Sequence, residues 1–266
     1  MYRCTDQIQK TILLTALPKR IVSLVPSQTE LLAAIGLNEE VIGITKFCVH
    51  PDHWFRHKQR IGGTKNVAIE KVRALQPDLI IANKEENVLE QVLELEKMAP
   101  VWTSDIHSIE DALSMMQSIG ALTGKNTEAT LLINTIEEKK ILLQKLTREK
   151  KQVLRVAYLI WKDPYMAAGG DTFIDTMLQA CGWENCLGNR MRYPEIGLSE
   201  LEQLRPDLVL LSSEPYPFQQ KHITALEQVL PGTRIVLADG EMFSWYGSRM
   251  AEAFDYFRKM LQASAW

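Results

Sequence analysis

The residues of this 266-residue chain that could do chemistry gather in the short stretches following its aliphatic runs. In the C-terminal half these stretches carry Trp161, Tyr165, Met166, Tyr193, Tyr216, Phe243, Trp245 and Tyr246, interleaved with Arg190, Arg192 and Arg249. Aromatic rings offer large flat contact area, and an arginine can grip a carboxylate or phosphate with two parallel hydrogen bonds. A flat ligand with anionic edges suits that mixture. Each ring has an equally simple second reading, as a plug for the core of its own half. In the N-terminal half the corresponding stretches hold Ser27, Gln28, Phe47 and His50, and "GGTKN" (62–66) adds Lys65 ahead of a helix.

Metal and catalytic chemistry find less support. "HPDHWFRH" contains His50, His53 and His57. The last two, at i and i+4, could share a metal on one helix face, but no HExxH pattern or carboxylate pair completes a site. A short solvated helix opened by Pro51 is the simpler expectation. His50, just past a predicted strand, is the better ligand contact and could be an axial donor to cobalt or iron. Cys4 and Cys48 stand alone. Cys181 and Cys186 are close enough for a disulfide or half a metal set, yet ordinary free thiols fit as well. "GALTGK" (120–125) is one residue short of a phosphate-binding loop and is followed by Asn126 where Ser or Thr is needed. "GGDTF" (169–173) lacks the dinucleotide fingerprint, and no nucleophile elbow or Cys–His pattern is present. The expectation is a binding protein rather than an enzyme, with no resident metal or cofactor.

The elements that must position these residues are short strands alternating with helices. "RIVSLV", "VIGIT", "DLIIA" and "VWTS" in the first half, and "VLRVAYLIW", "DLVLLS" and "RIVLAD" in the second, are Val- and Ile-rich runs. Between them lie segments with apolar residues at three- and four-residue spacing. That alternation predicts right-handed βαβ units and parallel sheets covered on both faces. In such sheets ligands sit beyond the carboxyl ends of the strands, which is where the residues above fall. One phrase occurs twice, "LQPDLIIAN" (75–83) and "LRPDLVLLS" (204–212), as the helix-to-strand crossover of each half, with Pro stopping the helix and Asp opening the strand. Residues 126–152 contain no Gly or Pro and keep a helical rhythm through Leu131, Leu132, Ile136, Leu142, Leu143 and Leu146. They predict one rigid helix of about 25 residues, roughly 37 Å long. The expected organisation is an α/β lobe over 1–125, a connecting helix over 126–152 and a second α/β lobe over 153–266.

Composition is that of a soluble globular protein, 46% hydrophobic and 24% charged, with net charge −3. The negative balance argues against a broad nucleic-acid surface. No apolar run reaches the length of a membrane span. "MYRCTDQIQKTILLTALPKR" lacks the basic start, apolar core and cleavage site of a secretory signal. The expectation is therefore a cytoplasmic protein, or one whose export segment is not part of this stretch of sequence.

"PKRIVSLVPSQTELLAAIGL" (18–37), "VIGITKF", "IGGTKNVAIEKVRALQPDLIIAN" and "LSELEQLRPDLVLLS" together resemble the substrate-binding proteins of ABC importers for cobalamin, haem and ferric siderophores, the helical-backbone or class III periplasmic-binding family. The resemblance runs from about Thr5 to the C-terminus. It implies two Rossmann-like lobes joined by a long backbone helix, a ligand cleft between them, little domain closure, a monomer and an envelope location. The cargo implied is a corrinoid, haem or ferric chelate delivered to an ABC permease. The contacts expected are Ser27, Gln28, Phe47, His50, Lys65, Trp161, Met166, Arg192, Tyr193, Tyr216, Phe243, Trp245, Tyr246 and Arg249. A metal-ion receptor of similar architecture and an intracellular tetrapyrrole carrier, sensor or enzyme remain as alternatives.

In the resembled family one surface glutamate per lobe, seven residues before the Pro of the repeated phrase, pairs with permease arginines. Glu70 holds that position before Pro77; before Pro206 it is Ser199, and glutamate comes one place later as Glu200. The residues themselves read "SELE" as a capping box, with Ser199 as N-cap and Glu202 at its third position. Glu195 is a further acid nearby.

Overall fold

The computed structural model describes residues 2–150 and 152–263. The chain divides into two compact units. The first comprises the described residues up to Ile106, Glu110–Thr135 and Tyr246–Arg249; the second comprises His107–Ile109, Ile136–Trp245 and the described residues from Met250 on. No helix among the described residues is long and apolar enough to cross a membrane.

The first unit opens with an antiparallel hairpin, β1 (Tyr2–Thr5) and β2 (Thr11–Leu14), which the expected elements did not include. Its turn is organised by Asp6, a buried residue whose Oδ1 accepts the Lys10 and Ile8 amides at 2.7 and 3.1 Å. Alternation follows: β3 (Ile21–Ser23), α1 (Pro26–Ala34), β4 (Val41–Ile44), α2 (Asp52–His57), β5 (Gln59–Arg60), α3 (Ile69–Leu75), β6 (Leu79–Asn83), α4 (Leu89–Glu96), β7 (Val101–Ser104) and α5 (Ile109–Thr123). The sheet is parallel with order β5-β4-β3-β6-β7. β3, β6 and β7 are buried at every residue, and this explains why they read as unbroken aliphatic runs rather than alternating ones.

A second long helix, α6 (Asn126–Arg148), follows after Gly124 and Lys125 and continues from the first unit into the second. It spans 23 residues, stopping short of Gln152. It buries Ala129, Ile136 and Leu143, a stripe one residue wide, and leaves Leu131 and Leu142 exposed. Gly120 on α5 permits the start of α6 to approach closely, since a Cβ there would come within 2.5 Å of the Ala129 Cβ. "GALTGK" is thus the end of one helix and the turn to the next, with no phosphate loop.

The second unit contains β8 (Arg155–Trp161), β9 (Met166–Ala167), α7 (Phe173–Ala180), β10 (Glu184–Asn185), α8 (Leu198–Gln203), β11 (Leu208–Ser212), α9 (Gln220–Glu227), β12 (Arg234–Ala238), α10 (Gly240–Ser244) and α11 (Met250–Gln262). Parallel strands run β10-β8-β11-β12, and β9 folds back antiparallel on β8. One side of the sheet is packed by Leu159, Val209, Leu211, Leu201 and Leu226, among others. Tyr158, Phe243 and Phe257 form a second apolar group, with ring centroids 4.6 and 4.9 Å from Phe243. The α/β architecture, the parallel sheets and the long helix agree with the sequence expectation.

The repeated phrase is a clamp. The residue before each Pro, Gln76 or Arg205, adopts a left-handed conformation with φ of 47 and 48°. The Asp after it receives amides from the start of the neighbouring strand segment: Asp78 accepts Lys19 and Arg20 N–H at 2.8 and 2.9 Å, and Asp207 accepts Arg155 N–H at 2.8 Å. Each arginine then reaches back to the departing helix. Arg20 Nη2 donates to the Leu75 carbonyl at 2.5 Å, and Arg155 Nη1 to the Leu204 carbonyl at 2.6 Å. The same two side chains therefore join helix end, turn and strand start in both units.

One expectation is corrected here. α8 begins at Leu198, with Gly197 as N-cap and no side-chain cap, so "SELE" is not a capping box. Leu198 packs on the apolar core of the second unit, and its burial starts the helix earlier than Ser199 could. Ser199 is the second helical residue, matching Glu70 in α3.

Asp78→Ala and Asp207→Ala should each destabilise the protein by about 1–2 kcal/mol, the worth of charge-assisted bonds at an exposed site. Urea unfolding at pH 7 measures this, and Asn at either position should recover part of the loss.

Candidate functional site

In the first unit the carboxyl ends of β3, β6 and β7 converge on a buried polar network. Gln28 Nε2 donates to Ser104 Oγ at 2.5 Å and to the Ala82 carbonyl at 3.3 Å. Asn83 Nδ2 donates to the same Ser104 Oγ at 2.9 Å, while its Oδ1 accepts the Glu85 and Glu86 amides. Ser27 is buried, as is Tyr246, whose phenol is pushed well up by desolvation, opposed in part by the Ser27 and Ser104 hydroxyls. Gln28 is wholly enclosed. Its side chain ties α1 to the strands and offers no surface to a ligand, which corrects its expected role.

Arg249 is also committed. Its Nε and Nη2 lie 3.0 and 2.5 Å from the two carboxylate oxygens of Glu30, a bidentate pair in which both side chains are largely buried. Glu30 was not singled out from sequence; the signal was a lone acid among the buried residues of α1. More accessible are Phe47, half exposed with Lys46 Nζ 5.0 Å from its ring centre, and half-buried His50. Lys65 is exposed and its ammonium donates to the Glu85 carbonyl. His53 and His57 are exposed on α2. Among the described residues no three His, Cys, Asp or Glu side chains gather to hold a metal. All four cysteines are unbridged, and burial pushes the Cys186 thiol up to about 11.

The second unit supplies the aromatic surface. Trp161, at the end of β8, is 40% exposed and stands edge-on to half-buried Tyr216, with centroids 5.6 Å apart. Tyr216 continues to Phe218 at 4.8 Å and to His222 at 5.5 Å. Tyr165 and Met166 lie on the return to β9, and Lys162 Nζ is 6.0 Å from the Tyr165 ring. Arg192 is exposed, lies over Tyr193 at 5.7 Å and has its backbone amide on the Asp171 carboxylate. Arg190 pairs with Glu200.

Phe243 belongs elsewhere. It is fully buried between Tyr158 and Phe257, and presents no surface. Trp245 is 7% exposed, and its indole donates to Glu214 Oε1 at 2.9 Å. Sequence alone could not separate these rings from Trp161, because rings in neighbouring loops carry the same signal whether they face in or out.

An open groove of about 530 Å³ lies at the carboxyl ends of β11 and β12, lined by Ser213, Glu214, Leu237, Ala238, Asp239 and Glu241. Glu214 is raised above the ordinary carboxylate range, first by desolvation, with Ser244 and Trp245 opposing and Glu241 and Asp239 adding to the rise. This edge is lined by acids, and Arg190 and Arg249 are each paired with a glutamate.

The sequence pattern of the periplasmic binding protein family matches residues 21–230. An uncharacterized ABC transporter substrate-binding lipoprotein of Bacillus subtilis, YvrC, is 26% identical over 201 residues, an alignment covering 73% of this chain and 63% of that protein. The chain thus spans under two thirds of that relative's length. A vitamin B12-binding protein of Vibrio vulnificus is 26% identical over 199 residues, covering 73% of this chain and 71% of the relative. Among solved structures, a periplasmic heme binding protein from Pseudomonas aeruginosa superimposes with a TM-score of 0.82 at 21% identity, covering 94% of this chain and 95% of the other. The periplasmic vitamin B12 binding protein BtuF of Vibrio cholerae gives 0.79 at 16% identity, with 93% and 99% covered. These two share the fold.

A carboxyl with a raised folded-state pKa holds its proton longer in the native state than in the unfolded one. Its contribution is therefore favourable below its unfolded range and is lost as pH rises through the folded pKa. Glu214→Gln, which keeps an acceptor for Ser244 and Trp245, should leave stability at pH 7–8 unchanged or higher. It should also flatten the decline in stability on going from pH 5 to 8, measured by thermal unfolding.

Proposed function

The chain belongs to the periplasmic binding protein family, and on that premise we propose that it is a solute-binding protein for a metal chelate: a corrinoid, haem or ferric siderophore. The ligand is cargo, held without being transformed and handed to the permease of an ABC importer. The observation that carries this reading is the exposed Trp161 ring set edge-on to Tyr216 at the end of β8. An indole left 40% open to solvent gains little for folding and much for contact with a flat ligand. The names of the vitamin B12- and heme-binding relatives support the same class.

Trp161, Met166, Tyr193, Tyr216 and Arg192 form the proposed contact set of the second unit, and Phe47, His50 and Lys65 that of the first. Gln28 and Phe243 act through the scaffold. Docking to the permease falls to Glu70, whose side chain is 83% exposed on the first turn of α3 with Arg73 at 3.3 Å. Glu200 pairs with Arg190 and is 41% exposed, so the second unit presents a more covered acid than the first.

Titration with cyanocobalamin, haemin and ferric siderophores, followed by tryptophan quenching and absorbance, should show saturable binding of one class. No binding by any of them overturns the reading. Trp161→Ala should weaken that binding by about 1–2 kcal/mol, close to tenfold, with little change in melting temperature. Glu70→Arg should abolish capture by permease-containing proteoliposomes and leave ligand affinity unchanged, because rim charges govern encounter with the partner.

A further inference from the structure

His222 lies beside the aromatic surface and touches it through a constrained ring. It occupies the third position of α9, where its Nδ1 accepts the Gln219 amide at 2.8 Å while the Gln219 side chain accepts the His222 amide. A ring nitrogen that accepts a backbone N–H carries no proton. The proton of a neutral imidazole must then sit on Nε2. Nε2 is 3.3 Å from the Tyr216 hydroxyl oxygen. Being the N–H nitrogen, it donates, and Tyr216 Oη accepts. A phenol that accepts this bond keeps its own O–H to donate elsewhere, and Tyr216 is the ring on which Trp161 stands.

We propose that His222 is a positioning residue of the ligand surface: it orients the Tyr216 hydroxyl as a donor toward a hydrogen-bond acceptor on the ligand edge, and protonation of the imidazole undoes that orientation. The proposal rests on the solute-binding reading for its ligand and on the α9 geometry for its mechanism. In imidazolium both ring nitrogens bear protons, so Nδ1–H would face the Gln219 N–H at 2.8 Å, two donors opposed. Either the helix start opens or the ring turns, and in both cases the contact with Tyr216 is lost. The surroundings favour the neutral ring. Desolvation comes first, Lys221 on α9 and Lys162 after β8 add repulsion, and Asp163 opposes; the net direction is down. Tyr216 and Phe218 contribute their rings. A histidine with a lowered folded-state pKa is neutral at pH 7, and the arrangement is lost as pH falls through that value.

The test has a ligand-free arm and a ligand arm. Nitrogen-15 NMR of histidine-labelled protein at pH 7.5 should show His222 as the Nε2–H tautomer; an Nδ1–H tautomer overturns the proposal whatever the protein binds. In the second arm cyanocobalamin, haemin and a ferric siderophore are titrated at pH 7.5 and at a pH below the measured His222 pKa. The probe that binds the wild type should lose about three- to tenfold in affinity on acidification, the worth of one hydrogen bond. His222→Gln keeps the acceptor that the helix start requires and an N–H that can reach Tyr216, and should bind at both pH values with less than twofold change. Tyr216→Phe should lower affinity at pH 7.5 by the same factor and remove its pH dependence. Equal pH dependence in wild type and His222→Gln overturns the proposal. If no probe binds the wild type, the solute-binding reading fails, and the tautomer measurement still decides the geometry at His222.

Discussion

The structure depends on a carboxylate set at the turn between helix and strand. In both units an Asp after Pro takes the leading amides of the neighbouring strand segment, and an Arg on that segment returns a hydrogen bond to the helix end. The consequence is register. Asp78 also donates its own amide to the Arg20 carbonyl, and Asp207 donates to the Arg155 carbonyl, so central strands of each sheet are fixed relative to one another at their amino ends. Parallel strands have no hairpin turn to set their alignment, and a one-residue slip would exchange the two faces of every side chain. With the amino ends pinned, the opposite ends deliver their loops in a defined order. The candidate binding residues lie in those loops.

The polar chemistry at those loops is largely satisfied internally. Arg249 is held by Glu30, Arg190 by Glu200, and Asn83 spans two loop amides and Ser104. A buried guanidinium without a partner would be costly, so the Glu30–Arg249 pair is a condition for placing Tyr246–Arg249 in the first unit. What stays open to contact is mainly aromatic and hydroxylic: Trp161, Tyr216 and Phe47. Rigid rings lose little conformational entropy on binding and tolerate flat ligands of varied edge chemistry.

Much of the fold was legible in the sequence because the parallel strands are buried on both faces. "DLIIA" and "DLVLLS" are short, unbroken aliphatic runs, and each lies next to a helix with 3.6-residue spacing. The hairpin β1–β2 escaped notice because "YRCT" and "TILL" are four-residue strands with a weak pattern, joined by a turn that Asp6 closes from within. The start of α8 was misplaced for a different reason. "SELE" satisfies the local rule for a cap, but burial of Leu198 outweighs one hydroxyl bond.

The sequence by itself determined two α/β units with parallel sheets and the long helix from Asn126, since these follow from local periodicity and from the Pro-Asp punctuation. Which residues of the loops after the strands are exposed was decided only by tertiary structure. Trp161 and Phe243 are both aromatic residues close to the carboxyl end of a strand, yet one is 40% exposed and the other is locked between Tyr158 and Phe257. Likewise Arg192 is exposed and Arg249 is buried, because Glu30, more than two hundred positions away, closes around the latter. Such pairings depend on which side chains the folded backbone brings within 3 Å, and no spacing along the chain encodes that distance.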